Sequence, residues 1–132
     1  MKLLGIDYGS KKIGIALSDE GGTFAFPHST VQNDERALDK IVQIIRGSGV
    51  AEVVMGESLD YVGKANPVLD DAHNFADMLE KQTGIEVHFE PEFLTTTQAG
   101  KMQGRRDNLD ASAAAIILQS FLDHRRATGK SS

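Results

Sequence analysis

Two apolar runs near the start of the chain, Leu3-Leu4-Gly5-Ile6 and Ile13-Gly14-Ile15-Ala16-Leu17, flank the polar stretch Tyr8-Gly9-Ser10-Lys11-Lys12. Strand-forming runs on either side of a Gly-Ser-Lys turn read as a β-hairpin. A hairpin this apolar must be covered by the rest of the chain. One residue breaks its pattern. Asp7 ends the first run, and a carboxylate is both depleted in strands and costly to bury alone. A cation or hydrogen-bond donors must compensate it, or it must lie at an open strand end. Bonding to the turn amides of Gly9 and Ser10 would make it structural; otherwise Asp7 is a candidate site residue.

The downstream pattern says what covers the hairpin. Gly21-Gly22 is a turn, and Thr23 to Val31 reads as an irregular strand whose Pro27 suits a sheet edge. Asn33 is placed to cap a helix with Asp34 and Glu35 in its first turn. Ala37, Leu38, Ile41, Ile44 and Ile45 then recur at helical spacing until Gly47 and Gly49. Val50 to Met55 reads as a buried parallel strand running into Gly56-Glu57-Ser58. Asn66-Pro67 opens a second helix marked by Leu69, Ala72, Phe75, Ala76 and Leu79 and ending near Thr83-Gly84. Ile85 to Phe89 alternates as a strand leading to Glu90-Pro91-Glu92. A short helix is expected at Thr95 or Thr96, then a polar loop from Gly104 to Leu109. The last helix spans about Asp107 to Arg126, and its run of alanine, isoleucine and leucine should pack tightly against the sheet through small residues. The predicted order is three antiparallel strands, then helix and strand in alternation, which gives an α/β fold with a mixed five-stranded sheet flanked by helices. In such sheets ligands gather at the carboxyl ends of strands.

With 132 residues the chain fits one domain, expected over 1–126, with a frayed tail at 127–132. No apolar stretch is long enough to span a bilayer, and no signal peptide is evident, so a cytoplasmic protein is expected. There is no cysteine, which removes thiolate catalysis and cysteine-ligated zinc. The formal net charge of −5 argues against non-specific coating of nucleic acid but leaves room for a local basic patch. Candidate patches are Lys11-Lys12, Lys101 with Arg105-Arg106, and His124-Arg125-Arg126. No phosphate-binding Gly-Lys-Ser/Thr loop or nucleophile elbow occurs. His28, His73, His88 and His124 lack metal-ligand spacing and receive no catalytic role.

Asp7, Glu57, Glu92 and Asp110 share a placement: the first three fall at or near predicted strand ends, and the last opens the apolar helix. Carboxylates brought together raise one another's pKa unless a cation neutralises them. Magnesium takes carboxylate, water and phosphate oxygens, and a metal pair can clamp the attacking and leaving oxygens of a phosphodiester. An oxygen-only site also suits a chain without cysteine. Asp107, three residues before Asp110, could share its helix face, so either could be the cap and the other the ligand.

The motifs Gly5-Ile-Asp7-Tyr-Gly9, Lys12-Ile-Gly14-Ile-Ala16-Leu-Ser18-Asp19, Val53-Val54-Met-Gly56, Glu92-Phe-Leu-Thr95-Thr96 and Asp110-x-x-Ala113-Ala114-x-x-Ile117-Leu118-Gln119 together resemble the YqgF (RuvX) family. This group is described as Holliday-junction-resolvase-like or as pre-16S ribosomal RNA nucleases. The resemblance implies an RNase H-like fold and metal-dependent hydrolysis of nucleic-acid phosphodiesters, on precursor ribosomal RNA or branched DNA, with Mg2+ or Mn2+. It carries the family's acidic residues onto Asp7, Glu92 and Asp110. Glu57 matches the position where related resolvases hold an acidic ligand, although the family usually has a Gly-Leu-Pro-like sequence there. Pro91-Glu92-Phe93 departs from the usual Asp-Glu-Arg, so an expected arginine is missing. Lys11, Lys12, Arg105 and Arg106 are the expected phosphate contacts. A non-catalytic RNA- or ribosome-binding factor is the rival reading. An actin-like nucleotide-binding protein has a similar turn but needs two lobes, which this length does not provide.

Overall fold

The computed structural model describes residues 1–59, 67–93 and 106–127, with backbone alone at 57–59, 67–69, 91–93, 106–110, 126 and 127. Three strands open the chain: β1 (Lys2–Tyr8), β2 (Lys12–Ser18) and β3 (Ala25–Gln32). They are followed by α1 (Ala37–Ser48), β4 (Val50–Leu59), α2 (Pro67–Thr83), β5 (Val87–Phe93) and α3 (Arg106–Ala127). The sheet order is β3-β2-β1-β4-β5. β1 pairs antiparallel with β2 and parallel with β4, β3 is antiparallel to β2, and β5 is parallel to β4. This is the expected mixed sheet. Its central strand, β1, carries Asp7. Among the described residues no helix is long and apolar enough to cross a membrane.

Strand alternation sorts the apolar residues onto two faces. Leu4 and Ile6 of β1, Ile13 and Ile15 of β2, and Val53 and Met55 of β4 join α1 and α2 in the larger core. Leu3, Ala16 and Val54 face α3 and pack with Ala114, Ile117, Leu118 and Leu122. The near-continuous apolar strands follow from burial on both faces. The last helix packs through small residues, as its composition predicts. A Cβ added at Gly5 would lie 2.8 Å from Leu118 Cβ and 2.9 Å from the Ala114 carbonyl oxygen. Only glycine lets α3 come this close to the middle of β1.

Several boundaries differ from the sequence reading. Asn33 does not cap α1: the N-cap position is Arg36, without a side-chain cap bond, and the first-turn acid is Asp39. Asp34 instead accepts a hydrogen bond from the Arg36 amide, and its carbonyl accepts one from the Ala37 amide, so a turn separates β3 from the helix. Gly47 lies within α1, which ends only at Gly49. β3 starts at Ala25 rather than Thr23, because Asp19 Oδ1 accepts hydrogen bonds from the Thr23 and Phe24 amides and keeps them in the preceding turn. Pro27 does sit in the edge strand, where the register shifts: Ile15 pairs with Ser29 and Ala16 with Pro27. β4 runs on to Leu59 and β5 to Phe93, since their parallel pairing continues to Leu59↔Phe93. Glu57 and Glu92 therefore lie inside strands rather than beyond them. The short helix expected near Thr95, and Lys101 and Arg105, lie outside the described residues.

Candidate active site

Asp7 is the next-to-last residue of β1 and is only partly exposed. By alternation it shares the α3-facing row with Leu3 and Gly5. Its register partner on β2 is Gly14, and the position beside it on β4, one step past Ile6↔Met55, is Gly56. Neither neighbour has a Cβ, so the sheet surface on both sides of Asp7 is free of side chains. A hydrated divalent cation needs such room around a carboxylate.

The course of α3 relates Asp110 to Asp7. Near its C-terminal end, Arg125 meets Glu52 early in β4, while about two and three turns earlier Leu118 and Ala114 lie over Gly5. The helix thus advances along β1 toward the Asp7 end. Asp110 lies four residues before Ala114, about 6 Å along the axis. Asp7 lies two residues beyond Gly5, about 6.6 Å along the strand. Both advances point the same way, so α3 carries Asp110 toward the end of β1 that holds Asp7.

The two glutamates fall in different rows. Gly56 is paired with Glu90, Glu57 with Pro91 and Ser58 with Glu92. Position 57 belongs to the row of Val53 and Met55, the row of the α1/α2 core. Position 92 belongs to the row of His88 and Glu90, which contact α3. Arg106 and Asp107 begin α3, whereas Lys11 and Lys12 are exposed on the turn that follows β1. Among the described residues no group of three or more His, Cys, Asp or Glu side chains could hold a metal ion.

Polar residues that were not candidate site residues hold the scaffold around this row. Glu52 Oε1 and Oε2 accept hydrogen bonds from Arg125 Nη2 and Nη1 at 2.9 and 3.0 Å, and His88 Nε2 is 2.9 Å from Glu52 Oε1. Arg125 also lies over the Phe121 ring. The Arg125 hydrogen bonds hold the Glu52 carboxyl below the usual carboxylate range, and Glu52 in turn raises the Arg125 guanidinium. Arg125 is thus a structural ion-pair partner, not part of a basic surface patch with His124 and Arg126. Glu90 is buried; it accepts a hydrogen bond from Ser120 Oγ at 2.8 Å and has His124 Nδ1 at the same distance. Gln119 accepts from the Ala25 amide and donates to the Thr23 carbonyl. Ser18 Oγ accepts from the Leu3 amide and donates to the Asp19 carbonyl, so the Ser18-Asp19 part of the second motif is structural. Sequence signals for these pairs were weak: Glu52, His88, Glu90 and Arg125 are ordinary polar residues until the register joins them.

A central β1 with an aspartate next to its last residue, three antiparallel and two parallel strands, and a final helix packed across the sheet define an RNase H-like fold. The structure of Thermus thermophilus RuvC in complex with a Holliday junction substrate shares this fold, with a TM-score of 0.63 over 97% of both chains at 15% identity. Residues 1–124 match the RuvX family, described as Holliday junction resolvase, and the chain belongs to that family. A Moorella thermoacetica protein named "Putative pre-16S rRNA nuclease" is 35% identical, covering 93% of this chain and 95% of that protein. One of the same name from Leifsonia xyli subsp. xyli is 37% identical over 96% of this chain and 88% of its own length.

Proposed function

We propose that residues 1–126 form one nuclease domain that cleaves nucleic-acid phosphodiester bonds with a divalent metal ion, acting in the cytoplasm on precursor 16S ribosomal RNA. The observation that carries the reading is the course of α3, from Arg125 at Glu52 past the Gly5 contact toward the Asp7 end of β1, which supports Asp7 and Asp110 as partners in one oxygen-donor centre. Family membership supports hydrolysis, and the names of the curated relatives favour precursor ribosomal RNA over branched DNA.

Asp7, Asp110 and one glutamate would hold the Mg2+ or Mn2+. When bound, the ion activates water and stabilises the leaving 3′ oxygen. The row assignment favours Glu92 as that glutamate, because its strand position shares the α3-facing side with Asp7 and that of Glu57 does not. Gly14 and Gly56 leave space for the scissile phosphate beside Asp7. Lys11, Lys12, Arg105 and Arg106 would bind the flanking phosphates and orient the strand across the carboxylates.

The test compares purified wild type and Asp7→Asn on precursor 16S RNA and on a four-way DNA junction, each with Mg2+, Mn2+ or chelator. Wild type is expected to cut the RNA only with metal, and Asp7→Asn to bind it without cutting while melting at an unchanged temperature. Cleavage retained by Asp7→Asn would refute the site. Binding without cleavage by wild type in either metal would make the protein a binding factor, and selective cleavage of the junction would move the substrate to branched DNA.

A further inference from the structure

Asn33, expected to cap α1, is used elsewhere. Its backbone amide donates to the Lys11 carbonyl at 2.9 Å, and its Nδ2 donates to the Gly9 carbonyl at 2.8 Å. Within the same turn the Gly9 amide donates to the Lys12 carbonyl at 3.0 Å. A Cβ at Gly9 would lie 2.6 Å from that carbonyl oxygen, so only glycine fits the turn in this form. Asn33 follows directly on Gln32, the register partner of Lys12, and grips the turn from the end of β3. Lys11 and Lys12 are exposed, and the turn starts two residues after Asp7.

A lysine pair on a free four-residue turn would sample many positions and lose conformational entropy on binding a phosphate chain. Two added hydrogen bonds remove that freedom beforehand. We infer that Asn33 is a positioning residue for nucleic-acid binding, its amide and side chain holding the Gly9–Lys12 turn so that Lys11 and Lys12 are presented to the phosphates beside Asp7. This rests on the reading of the two lysines as phosphate contacts. A cap for α1 would act on helix stability alone, whereas a turn clamp acts through the lysines and must share their effect.

The experiment measures binding of a single-stranded segment of precursor 16S RNA against salt, without cleavage metal, for wild type, Asn33→Ala, Lys11→Ala/Lys12→Ala and the triple variant. Each phosphate contact contributes about 0.7 to the slope of log affinity against log salt for a single strand, so losing both lysines should flatten it by about 1.4. Asn33→Ala should weaken binding several-fold at each salt concentration with the slope kept, and the triple variant should match the lysine double variant in affinity, because the effects are not independent. Nitrogen-15 relaxation should show Ser10 and Lys11 becoming mobile in Asn33→Ala with the rest of the domain intact. Asn33→Ser, which keeps a shorter donor, should fall between wild type and alanine and provides a second folded background. Wild-type affinity in both Asn33 variants, or additive losses of log affinity in the triple variant, would overturn the inference while leaving the lysine contacts standing. An unchanged slope in the lysine double variant would overturn both.

Discussion

Replacing Gly5 with alanine tests how closely stability and chemistry are joined in this fold. The new methyl would lie 2.8 Å from Leu118 Cβ and 2.9 Å from the Ala114 carbonyl oxygen, whereas comfortable carbon contacts begin near 3.5 Å. Helix and strand must therefore separate by roughly 0.7 Å at this point. Shortening Leu118 to alanine gives no relief, because alanine keeps the Cβ and the second contact is backbone. Overpacking of this kind costs about 1–3 kcal/mol. For a domain of this size the melting temperature should fall by roughly 4–12 °C, measured by calorimetry or circular dichroism. The displacement is delivered one helical turn further on, at Asp110. A misplacement on the order of 1 Å between reacting groups costs about 100-fold in rate, so metal-dependent cleavage at a temperature where the variant is folded should fall by tens of fold or more. A Gly5→Ala protein that melts within about 1 °C of wild type would refute the close-packing argument. One that is destabilised but fully active would refute the coupling of α3 position to the site.

Two further outcomes follow from the polar contacts and the register. Glu52 is held below its ordinary pKa by Arg125, so its contribution to stability is complete above the ordinary carboxylate range and is lost as pH falls through the lower folded-state value. Glu52→Gln should cost about 1–3 kcal/mol at neutral pH and reduce the acid-side fall of the melting temperature, and an acid limb identical to wild type would contradict the assignment. Glu92→Gln should raise the Mn2+ concentration for half-maximal cleavage by at least about 10–100-fold, the effect of disturbing a metal's surroundings, while Glu57→Gln stays near wild type. The opposite ranking would put the middle ligand on β4.

The fold was legible because its signals were local and redundant. Apolar runs, their turns and the helical spacing of Ala37 to Ile45 each identify an element, and burial of the sheet on both faces left the strands plainly apolar. Element ends were less legible, because they depend on pairing between distant residues. β4 and β5 continue through Glu57 and Glu92 because each supplies the other's partners, a fact absent from either segment alone. Asn33 shows the same limit at a single residue. Its sequence neighbours are those of a helix cap, yet in space its donors meet the Gly9 and Lys11 carbonyls. Among the candidate site residues, Asp7 stood out because a carboxylate in an apolar strand is conspicuous anywhere. Glu90 did not stand out, because in sequence it is one of two glutamates around a proline, and only the fold reveals that it is buried with Ser120 and His124.

That buried glutamate bears on a problem posed by α3. A helix rich in alanine, isoleucine and leucine can satisfy hydrophobic burial in several rotations and in registers one turn apart, since one small apolar residue replaces another at little cost. A centre shared between β1 and α3 tolerates none of those alternatives. Polar contacts discriminate where apolar ones do not, because a slipped register leaves a buried donor or acceptor unpaired. Gln119 binds α3 to the entry of β3, Ser120 and His124 bind it to Glu90 on β5, and Arg125 binds it to Glu52 on β4. These contacts reach three different strands within seven consecutive helix residues, so together they fix both the rotation and the advance of the helix. All lie toward its C-terminal end. The glycine contact at Gly5 then sets the distance to the sheet, and Asp110 follows from those constraints one turn beyond Ala114. Burying Glu90 is costly in isolation, and together with Gln119 and Arg125 it leaves the helix one rotation and one advance along the sheet.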